Sequence, residues 1–144
     1  MKVYISVPMV ANRDLSVANS LARAVAESGH ELTSPWVLGE LEKHDRASVD
    51  VFRRDSEAVM ASDAIVADVS SPSVGVGMEL MAAHLAGKRV VIAFRRGSVV
   101  SRMLLHMEPK EVVEFAGEAE LGRDLRRLLE TGWKPPAPSA ARKP

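Results

Sequence analysis

Glu79, Asp55 and a run of small residues between them carry the chemistry this chain can do. Glu79 lies one turn into the helix opened by Ser71-Pro72-Ser73-Val74-Gly75-Val76-Gly77 and has Val76, Met78, Leu80 and Met81 for neighbours. A carboxylate in such surroundings is expensive unless it has partners or work. Asp55 is the nearest candidate for a second carboxylate. Two carboxyl groups about 5–5.5 Å apart cleave a glycosidic bond with retention: one attacks the anomeric carbon and the other handles the leaving-group proton. The bland alternative for Glu79 is a surface acid near a helix start, which gains less than ~1 kcal/mol from the helix dipole. The small-residue run offers hydroxyls, unhindered backbone N–H groups and the positive end of a helix, which suits a phosphate or a sugar hydroxyl. No Gly-Lys-Ser/Thr follows it, so it is not a Walker loop, and Leu80 stands where a dinucleotide fingerprint has its third small residue. As a bare pattern, a strand-to-helix turn with no ligand explains it equally well.

These residues need a scaffold, and the periodicity supplies one. Val3-Tyr4-Ile5-Ser6-Val7 is β-branched and aromatic and stops at Pro8, as a buried first strand does. Between Asp14 and Ser28 the apolar positions Leu15, Ala18, Leu21, Ala22 and Val25 recur at helical spacing, with Asp14 to cap the start and Gly29 to end it. His30 to Thr33 reads as a short second strand, and Ser34-Pro35 then opens a loop carrying Trp36. A second helix is predicted over 45–61 and holds Asp55. Ala64 to Val69 is a near-continuous apolar strand. The turn Ser70 to Gly77 leads into a helix from Met78 to Ala86, closed by Gly87. Arg89 to Phe94 reads as a strand, Val99 to His106 as a short helix, Val112 to Phe115 as a last strand, and Glu118 to Thr131 as a closing helix. Unbroken apolar strands alternating with helices predict an α/β fold: a doubly wound, parallel five-stranded sheet, flavodoxin-like or Rossmann-like. In such sheets ligands bind beyond the carboxyl ends of the strands, where the strand order reverses. That rule points to Pro8–Arg13 and Ser70–Gly77.

Composition narrows the function classes. The chain has 144 residues, 47% of them hydrophobic, which suits a single domain over 1–133. Residues 134–144, rich in Pro, Ala and charge, have nothing to bury and are expected to form a disordered tail. Lys+Arg and Asp+Glu both number 19, so no basic field exists to hold long nucleic acid or an anionic membrane. The absence of cysteine excludes disulfides, thiolate catalysis and Cys-ligated metals. His30, His44, His84 and His106 lack paired ligand spacing, so neither a metal nor a cofactor is expected. The run after Met1-Lys2 is too short for a signal-peptide core, and no stretch approaches the roughly 20 apolar residues of a membrane span. A soluble cytoplasmic protein is the expectation.

The segment Ser62-Asp63-Ala64-Ile65-Val66-Ala67-Asp68-Val69-Ser70-Ser71-Pro72-Ser73-Val74-Gly75-Val76-Gly77-Met78-Glu79-Leu80, followed by Gly87-Lys88-Arg89-Val90, strongly resembles the 2'-deoxynucleoside 5'-phosphate N-hydrolases within the nucleoside 2-deoxyribosyltransferase superfamily. Tyr4, Asp55 and the stretch from Phe94-Arg95 to Ser101-Arg102-Met103 occur in family order, so the resemblance covers most of residues 3–105. It implies that Glu79 is a nucleophile forming a covalent deoxyribosyl ester and that Asp55 is the acid/base carboxylate. Tyr4 would orient the nucleophile, and Ser73 would bind phosphate within the turn that contains Gly75 and Gly77. Ser101 would reach the phosphate in a neighbouring subunit's site, because family members are homodimers with shared sites. A carboxylate ester at C1' splits one hard displacement into two easier ones.

The chain departs from the family after strand one. Where the phosphohydrolases carry a Gly-Ser-Ile-Arg-Gly-Gly type of loop, it reads Val7-Pro8-Met9-Val10-Ala11-Asn12-Arg13, with a backbone donor removed at Pro8 and no glycine. Pro8-Met9 resembles the Pro-Met opening of broader deoxyribosyltransferase-like members, and Arg13 would supply charge from a displaced position. Met78, where relatives often have an aromatic, and Trp36, where they often have His, imply a remodelled base pocket. Trp36 either stacks on a nucleobase or plugs the sheet edge, and Asp68 either binds a sugar hydroxyl or ties down its loop. Arg53-Arg54 and Arg95-Arg96 read as solvated faces or dimer contacts. The leading expectation is a hydrolase releasing free base from a (2'-deoxy)nucleoside 5'-monophosphate. Its rivals are a deoxyribosyltransferase, which shares the intermediate, and a catalytically silent nucleotide sensor.

Overall fold

The computed structural model describes residues 1–39 and 50–133. In chain order the elements are β1 Lys2–Ser6, α1 Leu15–Glu27, β2 Glu31–Leu32, a 3-10 turn Pro35–Leu38, α2 Val51–Ala61, β3 Ala64–Asp68, α3 Val74–Leu85, β4 Arg89–Arg95, α4 Arg102–His106, β5 Glu111–Phe115 and α5 Glu118–Glu130. The five strands form one parallel sheet in the order β2-β1-β3-β4-β5. This is the flavodoxin-like doubly wound order, whose reversal lies between β1 and β3.

Each strand alternates its side chains between two helical layers. Val3, Ile5 and Val7 join Ala64 and Val66 in a core against Val17, Leu21 and Val25 of α1 and Leu121, Leu125 and Leu129 of α5. Tyr4, Ile65, Ala67 and Val69 face the other way, onto Val59 of α2 and Val76, Leu80 and Ala83 of α3. Parallel register pairs Tyr4 with Ile65 and Ser6 with Ala67. Tyr4 and Ser6 therefore share the α2–α3 side of the sheet at the end where β1 and β3 part.

Local chemistry fixes the helix ends. The Asp14 carboxylate accepts from the backbone N–H groups of Ser16 (3.0 Å) and Val17 (3.3 Å), capping α1. Gly29, at φ +71°, turns the chain away after it. Ser73 caps α3 by accepting from Val76 N at 3.4 Å. Helix α3 thus begins at Val74, four residues before the expected Met78, and Gly75 and Gly77 belong to its first turn rather than to a preceding loop. The small residues concealed a helix start that a capping serine is sufficient to set. Helix α4 begins at Arg102 rather than Val99. Helix α2 starts at Val51 with Asp50 as its cap. The expected helical residues 45–49 and the expected tail over 134–144 lie outside the described residues.

Two buried polar groups close the scaffold. Arg89 is 1% exposed, pairs through Nε and NH2 with both oxygens of Glu111 at 2.6 and 2.8 Å, and donates to Leu128 O at 2.8 Å. It thereby ties β4, β5 and the last turn of α5. On the opposite edge β2 ends after Leu32, and the Ser34 hydroxyl replaces the missing strand. It accepts from Ile5 N and donates to Ile5 O, each at 2.8 Å. The 3-10 turn that follows brings Trp36 back over Tyr4 instead of continuing the ladder. Ser34→Ala should therefore strand both Ile5 backbone groups in the core and lower unfolding stability by about 1–3 kcal/mol. Urea denaturation measures this, and a loss below a few tenths would contradict the role given to the hydroxyl.

Candidate active site

Glu79 sits where β1, α2 and α3 meet. Tyr4 OH donates to its Oε1 at 2.9 Å, and Ser6 Oγ donates to its Oε2. Both donors come from alternate positions of β1, and the acceptor comes from the second turn of α3. From α2, Asp55 and Arg54 complete the surroundings. Arg54 Nε pairs with Asp55 Oδ1 at 2.7 Å while its guanidinium lies 4.3 Å from the centre of the Trp36 ring. Trp36 in turn meets Tyr4 edge-on, with ring centroids 6.3 Å apart at 64°. The order Arg54, Trp36, Tyr4, Glu79 is a continuous chain of contacts from the surface of α2 to the carboxylate.

The electrostatics follow from this packing. Burial raises the Glu79 carboxyl above its ordinary value; the hydroxyls of Ser6 and Tyr4 pull it back, the Asp55 charge raises it and the Arg54 charge lowers it. Tyr4 is pushed far above the ordinary phenol value, first by burial and then by the charges of Glu79 and Asp55. It stays protonated and acts as a donor. The arrangement can present one carboxylate oxygen to an electrophile while a second carboxyl group stands close enough for the two charges to repel.

The remaining expected site residues spread around this centre. Ser73 is the α3 cap, with Gly75 exposed and Gly77 half-buried behind it. A Cβ at either glycine would meet nothing within 4 Å among the described residues. Asp68, buried at the end of β3, accepts from Ser70 N (3.0 Å) and Ser70 Oγ (2.6 Å), and Ser70 Oγ accepts from Arg95 N at 2.9 Å. Through Oδ1 it ties down the loop, one of its two expected roles. Pro8 is buried, and Met9 packs on the α1–α5 core. Arg13 turns toward the 3-10 segment and donates to Val37 O at 2.8 Å and Gly39 O at 2.5 Å, so its charge braces the turn that carries Trp36. Trp36 packs against both cores, as a plug would, with one face under Arg54. Ser101 stands exposed at the start of α4 without a side-chain cap bond.

Sequence reasoning missed Ser6 and the inward contacts of Arg54. Ser6 lies two residues after Tyr4 on the same strand, so strand periodicity was the signal that could have found it. Arg53 is solvated and pairs with Glu57, but Arg54 turns inward onto Asp55 and Trp36. Arg95 is also engaged, with Asp14 at 2.9 Å and Glu118 at 2.6 Å. Among the described residues no three His, Asp or Glu side chains converge as a metal site would require, and no helix is long and apolar enough to cross a membrane.

Because burial lifts the folded-state pKa of Glu79 above its unfolded value, the folded protein is penalised as pH rises through that interval, and the penalty is complete above it. Glu79→Gln should remove the penalty. The variant is expected to be more stable than wild type at pH 7, with the difference shrinking as pH falls through that interval toward 4.5 and absent well below it. Thermal melts across pH measure this, and a pH-independent difference would contradict the assigned cause.

No protein-family model matches the chain. A Methanococcoides burtonii protein assigned as a 2'-deoxynucleoside 5'-phosphate N-hydrolase is 32% identical over 110 residues, 73% of this chain and 89% of that protein. The Danio rerio 5-hydroxymethyl-dUMP N-hydrolase is 32% identical over 129 residues, 83% of this chain and 88% of its own. The solved structure of a Clostridium botulinum CMP N-glycosidase superposes with a TM-score of 0.67 at 16% identity, covering 89% of this chain and 99% of that one, which speaks to the fold. With relatives matched along most of their length and the same doubly wound sheet, the chain belongs to the 2'-deoxynucleoside 5'-phosphate N-hydrolase family of N-glycosidases.

Proposed function

We propose that this protein hydrolyses the N-glycosidic bond of 2'-deoxynucleoside 5'-monophosphates, releasing free base and 2-deoxyribose 5-phosphate through a covalent ester on Glu79. The observation that carries the proposal is the half-buried Glu79 carboxylate, held on each oxygen by a hydroxyl from β1 and close to the charge of Asp55 from α2. A carboxylate gripped in this way is an aimed nucleophile.

In the first step a Glu79 oxygen attacks C1', and the electron pair of the C1'–N bond leaves with the base. Asp55, charged beside Arg54 in the free protein, takes up a proton as the substrate binds and gives it to the departing base. In the second step Asp55, now a carboxylate, takes a proton from water as the water oxygen bonds to C1'. The ester C–O pair returns to Glu79, and Asp55 is again protonated. Tyr4 stays protonated throughout and keeps the nucleophile turned toward the sugar. The alternative outcome, transfer of deoxyribose to a second base, uses the same ester and differs only in what reaches C1'.

The phosphate is assigned to the start of α3. Glycine in a helix costs roughly 1 kcal/mol relative to alanine, and neither Gly75 nor Gly77 is required by packing within the described residues. Two such residues beside a capping serine leave the backbone open to close approach by an anion at the positive helix end. We assign Ser101 to a site shared with a second copy. Helices α2 and α3 leave Phe52 (70%), Val74 (82%) and Leu85 (78%) exposed, which is apolar surface suited to a homodimer contact.

A chromatographic assay on deoxynucleosides, ribonucleotides and deoxynucleoside monophosphates, each with and without free acceptor base, tests the substrate class. Free base should form from the deoxynucleoside monophosphates, and Glu79→Ala should lower the rate on the order of 10³-fold or more. New nucleosides formed only with acceptor would make the protein a transferase. Binding without turnover would make it a sensor. Intact-mass analysis of enzyme acid-quenched during turnover should show an adduct of one deoxyribose phosphate mapping to Glu79; an adduct on any other residue would overturn the nucleophile assignment.

A further inference from the structure

Strand β1 reads Lys2-Val3-Tyr4-Ile5-Ser6, and Ser6 interrupts its apolar pattern at a position that is 1% exposed. A buried hydroxyl costs stability unless it is hydrogen-bonded, and alanine would fill the same strand position without that cost. The partner of Ser6 Oγ is Glu79 Oε2, the oxygen that Tyr4 does not hold. The rotation of a glutamate carboxylate about its last torsion is soft and roughly two-fold. A single donor from Tyr4 leaves that rotation largely open, whereas a second donor on the other oxygen closes it. Tyr4 and Ser6 are two residues apart on one strand, so a rigid element carries both donors and the sheet itself sets the carboxylate plane.

We infer that Ser6 is a second positioning residue for Glu79, its hydroxyl acting with the Tyr4 phenol to fix the carboxylate in one orientation toward the sugar. The inference rests on the reading of Glu79 as the nucleophile. A further consequence is electrostatic: a hydroxyl that donates to the charged form favours it, and so offsets part of what burial does to this group. The groups facing Glu79 are Tyr4 and Ser6 from β1 and Asp55 and Arg54 from α2. Substitution at Ser6 leaves the other three in place, so its effect on the carboxylate can be read in isolation.

The experiment is a ¹³C carboxyl NMR titration of the full chain in wild type, Ser6→Ala and Ser6→Thr, with the Glu79 resonance assigned from its loss in Glu79→Gln. Ser6→Ala should raise the Glu79 midpoint by about one pH unit, and Ser6→Thr, which keeps the hydroxyl, should return it toward wild type. In deoxynucleoside monophosphate hydrolysis, Ser6→Ala should lower kcat about tenfold with KM changed less than about twofold, since orientation rather than binding is lost. The acid limb of its pH–rate profile should move with the NMR midpoint. A merely structural serine would lower thermal stability and leave the midpoint where it is, and that result in folded Ser6→Ala overturns the inference. Should Ser6→Ala not fold, Ser6→Cys, close in shape with a weaker donor, is read by the same midpoint. Full turnover in Glu79→Ala would instead overturn the reading beneath it, and the two failures are told apart because the titration needs no substrate.

Discussion

A carboxylate drawn out of water must be given back hydrogen bonds or lose its charge, and the half-buried Glu79 side chain meets that constraint where β1, α2 and α3 come together. Its two oxygens are met by hydroxyls of Tyr4 and Ser6, and both are supplied by one strand. The arrangement depends on β1 lying beside β3 in the middle of the sheet, because α3, which carries Glu79, follows β3. If β1 were an edge strand on the far side of β4, its alternate residues would face other partners. The strand order is therefore part of the chemistry of the site.

Much of the surrounding structure serves to hold that junction still. Ser34 satisfies both backbone groups of Ile5 between Tyr4 and Ser6, so β1 stays straight where β2 has ended. Asp68 and Ser70 tie the ends of β3 and β4 together just before α3 begins. Arg95 joins the start of α1 to the start of α5 through Asp14 and Glu118. Arg13 braces the 3-10 turn, and that turn lays Trp36 against Tyr4. These bonds are individually modest. Each removes one direction in which the donors on β1 could drift from the acceptor on α3.

The face opposite this packing is less constrained. The first turn of α3 has two glycines with open space beside them, and the exposed side chains of α2 and α3 are unusually apolar. A helix start weakened by glycine and a surface rich in exposed apolar residues both cost stability or solubility in an isolated chain. Both are accounted for if an anion approaches the helix end and a second copy covers the apolar face, which connects the phosphate assignment to the homodimer assignment.

The parallel α/β class, the chain order of the strands and helices, the capping role of Asp14 and the candidacy of Glu79, with Asp55 as a second carboxylate, were legible in the residues, whereas Tyr4 became a candidate only through the family resemblance. They depend on periodicity, on helix-end chemistry and on a contiguous motif, all of which are local along the chain. Where the sequence reading strayed, the cause was competition between local signals: glycines read as a turn at the start of α3, where the Ser73 cap prevailed. Only the tertiary structure decided which donors meet Glu79, that Arg54 faces inward, that Arg13 braces a turn, and that Asp68 holds a loop. Tyr4 and Glu79 are separated by 75 positions in the chain and by 2.9 Å between their oxygen atoms. Contacts of that kind are set by strand order and register, and no single segment of the sequence records them.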